Sequence, residues 1–410
     1  MDFVALPQTD DSKIYIQRSR AENILLICII GLLNTITPFS IDMYLPAFPK
    51  IAKDLHTDIS SVALSVSTYF FGFALGQILY GPLLDRFGRK RPLYVGLCCY
   101  VIATIGCTLC QSIQMLWLIR FTQALGGCVA SVAAMAMVLD FFSADKSARI
   151  FSLLILILGI SPLLAPTVGS FIITVWNWRF VFVALAIVAT IMLAVSIFFL
   201  PEGHQPDVAV SLKPKPIING FMQILTNRQF YVYALAGTFS FAGLFVYVAG
   251  SPAIFMDEFH ASPKAYGAIF AGLSVGFIGS SQLNHLLTRK FQSEEILKVV
   301  LIVQSITAIA FFITVFAGWY GMVSTLAFLF IVLACSGLTY PNAASVAMNP
   351  FTKNAGTASA LLGFIQIGIG GAISAGVGMV HYKGSLSVSM IMAVSTTIAF
   401  LILMLGKKTK

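Results

Sequence analysis

The sequence predicts an all-α integral membrane protein of twelve transmembrane helices, and three observations carry that expectation. Hydrophobic residues make up 58% of the 410 positions and charged residues only 10%, with a mean hydropathy of +0.90, too little polar surface to coat a soluble globule. Apolar stretches long enough to cross about 30 Å of hydrocarbon run near residues 24–45, 62–83, 93–112, 115–139, 150–173, 180–200, 229–254, 266–287, 299–317, 322–345, 355–379 and 386–406. These stretches are apolar on every side, whereas a membrane barrel strand alternates and needs only about ten residues.

The chain divides into a cytoplasmic tail (1–22), a first six-helix half (23–200), a linker rich in Pro and charge (201–228), a second six-helix half (229–406) and a tail of four residues (407–410). Asp2, Asp10, Asp11, Lys13, Arg18, Arg20 and Glu22 charge the first tail, and the sequence after it lacks the form of a cleavable signal peptide. Weak internal repeats suggest that six helices were duplicated. FFGFALG at 70–76 recurs as FAGLSVG at 270–276, VLDFFSADKSA at 138–148 parallels AMNPFTKNAGT at 347–357, and Pro46-Ala47 is echoed by Pro252-Ala253. Such a duplication implies a site at mid-depth between the halves and movement of one half against the other.

Nineteen of the 25 Lys and Arg residues fall on the side that carries both termini, so that side is expected to be cytoplasmic. The net charge of +9 then reads as orientation plus attraction to anionic lipid, not as nucleic-acid binding. All seven cysteines are placed in apolar helices as small packing residues, with no disulfide expected. His56, His204, His260, His285 and His381 sit in or beside separate loops without ligand spacing, so no metal site is expected.

Asp42 and Arg120 are the only charged side chains inside the twelve apolar stretches. A charge at mid-bilayer depth costs roughly 2.5–3.5 kcal/mol even on insertion scales, so a partner or a task is expected for each. The two are expected to pair, with burial opposing the Asp42 charge and Arg120 supporting it; a purely structural ion pair is the alternative. No equivalent acid or base occurs in the second half, which offers Phe239, Tyr247, Tyr340, Asn342 and Gln366 as shape and stacking surface. Asn34, Phe39, Tyr44 and Gln123 from the first half join Tyr247, Tyr340 and Asn342 as candidate substrate-binding residues, the aromatics as adaptable surface for amphipathic ligands and the amides because mid-span amides must bond across helices or face water. Gly81-Pro-Leu-Leu-Asp-Arg-Phe-Gly-Arg-Lys-Arg91 places Asp85, Arg86, Arg89 and Lys90 around Gly88, a compact charge cluster at a tight turn.

That segment resembles the signature between the second and third helices of the major facilitator superfamily. By this resemblance Gly81, Asp85, Arg86, Gly88, Arg89 and Asp140 form a gating latch. Arg120, Gln123, Gly126 and Gly127 are similar to the superfamily motif in which a buried arginine accompanies proton coupling, which implies Asp42 and Arg120 as the coupling pair. Gly159, Pro162, Pro166 and Gly169 resemble the proline-glycine helix of its exporters, with Ala165 and Ser170 as departures. Thr37-Pro-Phe-Ser-Ile-Asp-Met-Tyr-Leu-Pro-Ala-Phe-Pro49 and Trp178-Arg179 are similar to the Bcr/CflA drug-resistance branch, although Leu139-Asp140 stands where that branch usually has Arg-Asp.

The resemblance implies the major facilitator fold and a monomeric, multi-pass antiporter of a bacterial inner membrane that exports small amphipathic molecules. Both termini would be cytoplasmic, the partners would be substrate and membrane lipid, and the coupling ion would be the proton, with no cofactor. A proton-driven importer remains the alternative within transport, and a non-transport membrane signalling protein the alternative outside it. No catalytic constellation points to an enzyme.

Overall fold

The computed structural model describes residues 19–142, 144–202, 206–207, 214–351, 355–380 and 384–406. Most of the expected N-terminal tail, the last four residues and parts of the linker lie outside them. Among the described residues every regular element is helical. The first half holds α1 (Arg20–Asp42), a 3-10 turn (Leu45–Ala47), α2 (Phe48–Asp54), α3 (Ile59–Phe87), α4 (Lys90–Thr108), α5 (Ile113–Phe141), α6 (Ala144–Val175) and α7 (Arg179–Phe199). After α8 (Pro214–Leu225), the second half holds α9 (Arg228–Pro252), a π turn (Ala253–Glu258), α10 (Pro263–Leu287), α11 (Ser293–Phe316), α12 (Met322–Met348), α13 (Ala355–Met379) and α14 (Gly384–Gly406).

Leaving out α2 and α8, the long helices match the twelve expected spans, and ten spans are long and apolar enough by themselves to cross a membrane. Of the other two, α6 contributes the apolar stretch Ile160–Val175. Helix α10 carries Gln282, Asn284 and His285 near its end and packs against α6 and α12.

Local chemistry sets the ends of α1. Ser19 and Glu22 form a capping box, in which each side chain accepts from the other's backbone N–H. The expected span 24–45 stops early because the Asp42 carbonyl would need the amide of residue 46, and Pro46 has none. The chain then turns through Leu45–Ala47 into α2. Within the expected linker, residues 214–225 form a helix. Its Phe221, Ile224 and Leu225 join the core of the second half while Ile218 and Met222 stay exposed, the mark of an amphipathic helix lying on the bundle.

The two halves meet unevenly. At the face opposite the chain ends, here called the distal face, one core contains Met43, Tyr44 and Phe70 of the first half together with Phe245, Tyr247, Phe255 and Tyr266 of the second. Phe70 and Phe245 meet edge to face at 4.5 Å. Ser67 and Ser374 join α3 to α13 through their hydroxyls at 2.9 Å, and the Ser170 hydroxyl donates to the Pro263 carbonyl at 2.7 Å, joining α6 to α10. At the face bearing the chain ends each half keeps its own core, Leu26 to Leu200 in one and Ile224 to Leu403 in the other. The bundle is therefore sealed distally.

The duplication is most legible at the distal rim. Asp54-Leu55-His56 follows Pro46-Ala47, and Glu258-Phe259-His260 follows Pro252-Ala253. His56 (φ 50°) and His260 (φ 53°) are the only non-glycine residues with positive φ among the described residues, and each lies two residues before a helix N-cap, Asp58 or Ser262. Each acid ties the same three places together with different partners. Asp54 accepts from Trp178 Nε1 at 2.9 Å and ion-pairs with Arg179, whose guanidinium also donates to the carbonyls of Thr108 and Cys110 at 3.0 and 3.1 Å. Cys110 thus lies in the loop after α4, not inside a helix as expected. Glu258 accepts from the Tyr320 hydroxyl and, at 2.9 Å, from Ser385 N; partial burial and the Glu258 carboxylate push the Tyr320 phenol up to about 12.

Helix α6 is the strut between the halves at this face. A Cβ on Gly169 would overlap the Met43 carbonyl oxygen, a backbone atom that cannot swing aside. Gly169→Ala is therefore expected to cost about 1–3 kcal/mol through overpacking, read as a lowered melting temperature of the purified protein, with Gly272→Ala, whose Cβ meets open space, as the comparison.

Candidate functional site

Arg120, fully buried on α5, organises the centre of the first half. Its Nη1 donates to Gln123 Oε1 at 2.5 Å and its Nη2 to the Ser40 carbonyl at 2.9 Å. That carbonyl is available because it is one of the last four of α1, which have no helical amide to accept from. The guanidinium also lies 4.4 Å from the Tyr44 ring and 4.3 Å from the Tyr69 ring, where the ring quadrupoles attract a cation. Gln123 Nε2 donates to the Thr104 hydroxyl at 2.8 Å, the Tyr100 and Ser40 hydroxyls are 2.6 Å apart, and those of Tyr44 and Ser65 are 2.8 Å apart. One cation thereby holds α1, α3, α4 and α5 together.

Asp42 is buried at the last residue of α1, and Arg120 does not pair with it. Neither residue takes part in the ion pairs Arg89–Asp85, Arg89–Asp140 and Arg179–Asp54. The expected Asp42–Arg120 contact is therefore absent in this conformation: Gln123, the Ser40 carbonyl and the two rings receive the guanidinium instead, and its buried Nε is left without a partner. The turn that follows Asp42 instead packs against α9 and α10, which carry Tyr247 and Tyr266 of the other half. The Tyr266 and Ser251 hydroxyls are 2.8 Å apart. The Tyr247 hydroxyl is buried without a hydrogen-bond partner, its ring stacked on Phe270 at 5.2 Å. The seam between the halves thus holds a carboxyl and an unsatisfied phenol.

Asp85, Arg89 and Asp140 form a cluster at the opposite face. Arg89 Nη1 donates to Asp85 at 2.7 Å, and its Nε donates to Asp140 at 2.7 Å. Burial works against the Arg89 charge, but the hydrogen bonds and charges of Asp140 and Asp85 outweigh it and raise its proton affinity further. Gly88 turns the chain at φ 81°, and the Glu202 carboxylate sits over the turn, accepting from Arg89 N at 2.7 Å and Lys90 N at 3.4 Å. Sequence reasoning missed Glu202; its signal was an acid just past α7 facing the amides that open α4. Arg86 lies 5.8 Å from the Phe87 ring, and Gly81 has open space at its Cβ position. Pro162 and Pro166 lie inside α6, and the Pro166 carbonyl packs on Gly267 of α10.

The seven candidate substrate residues do not converge on one site. Tyr44 and Gln123 serve the Arg120 network. Phe39 lines a small cavity between α1, α6 and α7. Tyr247 lies in the distal seam, Tyr340 packs against Phe241 at 4.9 Å, and Asn342 donates to Asn284 Oδ1 at 2.6 Å, fastening α12 to α10. Asn34 is buried with its Nδ2 unpartnered. Sequence reasoning also missed Gln304, which accepts from the Ser240 hydroxyl at 2.6 Å and donates to Ser336 Oγ at 3.0 Å. It joins α9, α11 and α12 without a charge, as the Arg120 network joins α1, α4 and α5.

Residues 30–375 match the family profile described as Major Facilitator Superfamily. The chain is 28% identical over 348 residues to a Haemophilus influenzae protein called "Bicyclomycin resistance protein homolog", covering 84% of this chain and 87% of that one. It is 30% identical over 349 residues to "Multidrug resistance protein MdtL" of Escherichia coli, covering 83% and 85%. Among solved structures, a D-xylose-proton symporter superposes with a TM-score of 0.74 at 14% identity, covering 94% of this chain and 100% of that one. A bacterial homolog of the human lysosomal transporter Spinster gives 0.75 at 16%, covering 95% and 97%.

Arg89→Ala would leave the Asp140 side chain, only 7% exposed, without its cation. The expected loss is about 3–5 kcal/mol, as for breaking a buried pair, measured by thermal melting in detergent. Arg89→Lys should recover only part of it, because an ammonium lacks the guanidinium fork.

Proposed function

The chain belongs to the major facilitator superfamily, a family of transporters and not of enzymes, and from that premise we propose that it is a proton-coupled exporter of small amphipathic molecules working by alternating access. The relatives named for bicyclomycin and multidrug resistance support an amphipathic cargo. Their bacterial origin supports placement in a bacterial inner membrane. The excess of Lys and Arg on the face bearing the termini supports a cytoplasmic assignment for that face, so the sealed distal face is the outer one. Two halves enclosing a single pathway need no second subunit, and the protein works as a monomer.

The observation that carries the reading is Asp42, buried without an ion pair at the end of α1, beside the turn that meets α9 and α10. A carboxylate shut into that seam is an unpaired buried charge, which costs several kcal/mol; a neutral carboxyl is not. Proton uptake from outside therefore allows the seam to close and the inner face to open. Cargo binding from the cytoplasm accompanies loss of the proton inward, and the charged carboxylate then disfavours the closed seam, so the outer face opens and cargo leaves. Arg120 keeps its charge throughout and holds the four helices around the acid in register. The Asp85–Arg89–Asp140 cluster latches the cytoplasmic ends of α3, α4 and α5 so that the half moves as one body, and Pro162, Pro166 and Gly169 give α6 the freedom to pivot.

Asp42→Asn, which keeps the shape and removes the titrating group, is expected to abolish proton-driven cargo movement while melting temperature stays near wild type. The assay is cargo flux in vesicles of known orientation under an imposed proton gradient. Undiminished coupled flux in the variant, or flux in the direction of the protons, would count against export.

A further inference from the structure

The first half contains a cavity that the transport cycle does not use. It has a volume of about 220 Å3 and lies between α1, α6 and α7. Its mouth is formed by Leu32, Val168 and Val188, whose side chains are exposed on the apolar belt of the bundle. Its floor is formed by Met43, Tyr100 and Met192, all buried. No polar group is free inside. The Thr35 hydroxyl is committed to the Leu32 carbonyl at 2.7 Å, and the Tyr100 hydroxyl to Ser40 Oγ at 2.6 Å. A charged or hydrogen-bonding ligand would lose its hydration there and gain nothing in return.

We propose that this cavity binds the end of a phospholipid acyl chain that enters from the bilayer between α1, α6 and α7. Apolar cavities of about 150 Å3 accept benzene, so this one has room for a stretch of hydrocarbon. The mouth opens on the belt that contacts lipid, where acyl chains are the surrounding solvent and reach it without crossing water. The occupant rests on Phe39 and Met43, which lie three residues before and one after Asp42. It also rests on Tyr100, whose hydroxyl meets the side chain of Ser40, the residue whose carbonyl accepts from Arg120. Bilayer composition thereby acts on the segment that carries the buried acid.

The test uses the full-length protein in phosphatidylethanolamine vesicles containing a trace of phospholipid with a diazirine at the end of one acyl chain. After illumination the labelled residues are mapped by mass spectrometry. Label on Phe39, Met43 and Met192 is expected, with most of it lost in Ala184→Phe, which fills the cavity from α7, and retained in Ile197→Phe, on the exposed surface of the same helix. Label confined to Leu32, Val168 and Val188 would overturn the proposal, because chains would then pass over the mouth without entering. Labelling of the floor by a small dissolved apolar diazirine but not by the phospholipid would also overturn it and give the cavity to dissolved hydrophobic molecules. If Ala184→Phe fails to insert, the floor-against-mouth pattern of the wild type decides alone.

Discussion

A guanidinium that cannot shed its proton is buried in the middle of a membrane-spanning half, and much of the first half follows from how Arg120 is satisfied. Two tyrosine rings, one amide and the carbonyl of Ser40 receive it. That carbonyl is free only because α1 ends early, and α1 ends early because Pro46 cannot supply an amide. The same break leaves Asp42 buried at the end of the helix, beside the turn that meets the other half. Cation and acid are thus held apart by the element that positions both, and the acid is left to respond to the seam.

The duplicated architecture is retained while its chemistry has diverged. Gln304 links α9, α11 and α12 with neutral hydrogen bonds, whereas Arg120 links α1, α4 and α5 with a charge. At the distal rim, an acid followed two residues later by a left-handed histidine recurs in both halves, but Asp54 meets Trp178 and Arg179 while Glu258 meets Tyr320 and a backbone amide. Each half thus ties its own distal rim together, which suits halves that move as bodies.

The spans and the charge cluster after α3 were legible in the sequence because each rests on a local pattern: an apolar run and a motif around Gly88. Partner choice was not legible. Asp42 and Arg120 are the obvious pair by charge, yet the winning contacts of Arg120 are rings and a carbonyl that no charge count reveals. Residues 214–225 read as linker because Pro214 and Pro216 dominate the composition, while the apolar spacing of Phe221, Ile224 and Leu225 carries a helix that only docking stabilises. Asn342 read as a ligand contact and is a fastening to Asn284, a distinction that depends on which helix lies opposite.

The most direct measurement is proton release from purified protein in detergent on addition of a transported cation or neutral drug, monitored with a pH indicator in weak buffer. The account predicts release by the wild type and none by Asp42→Asn, with cargo binding retained in both. Equal release from the variant would contradict it, since the proton would then come from a group other than the acid at the seam.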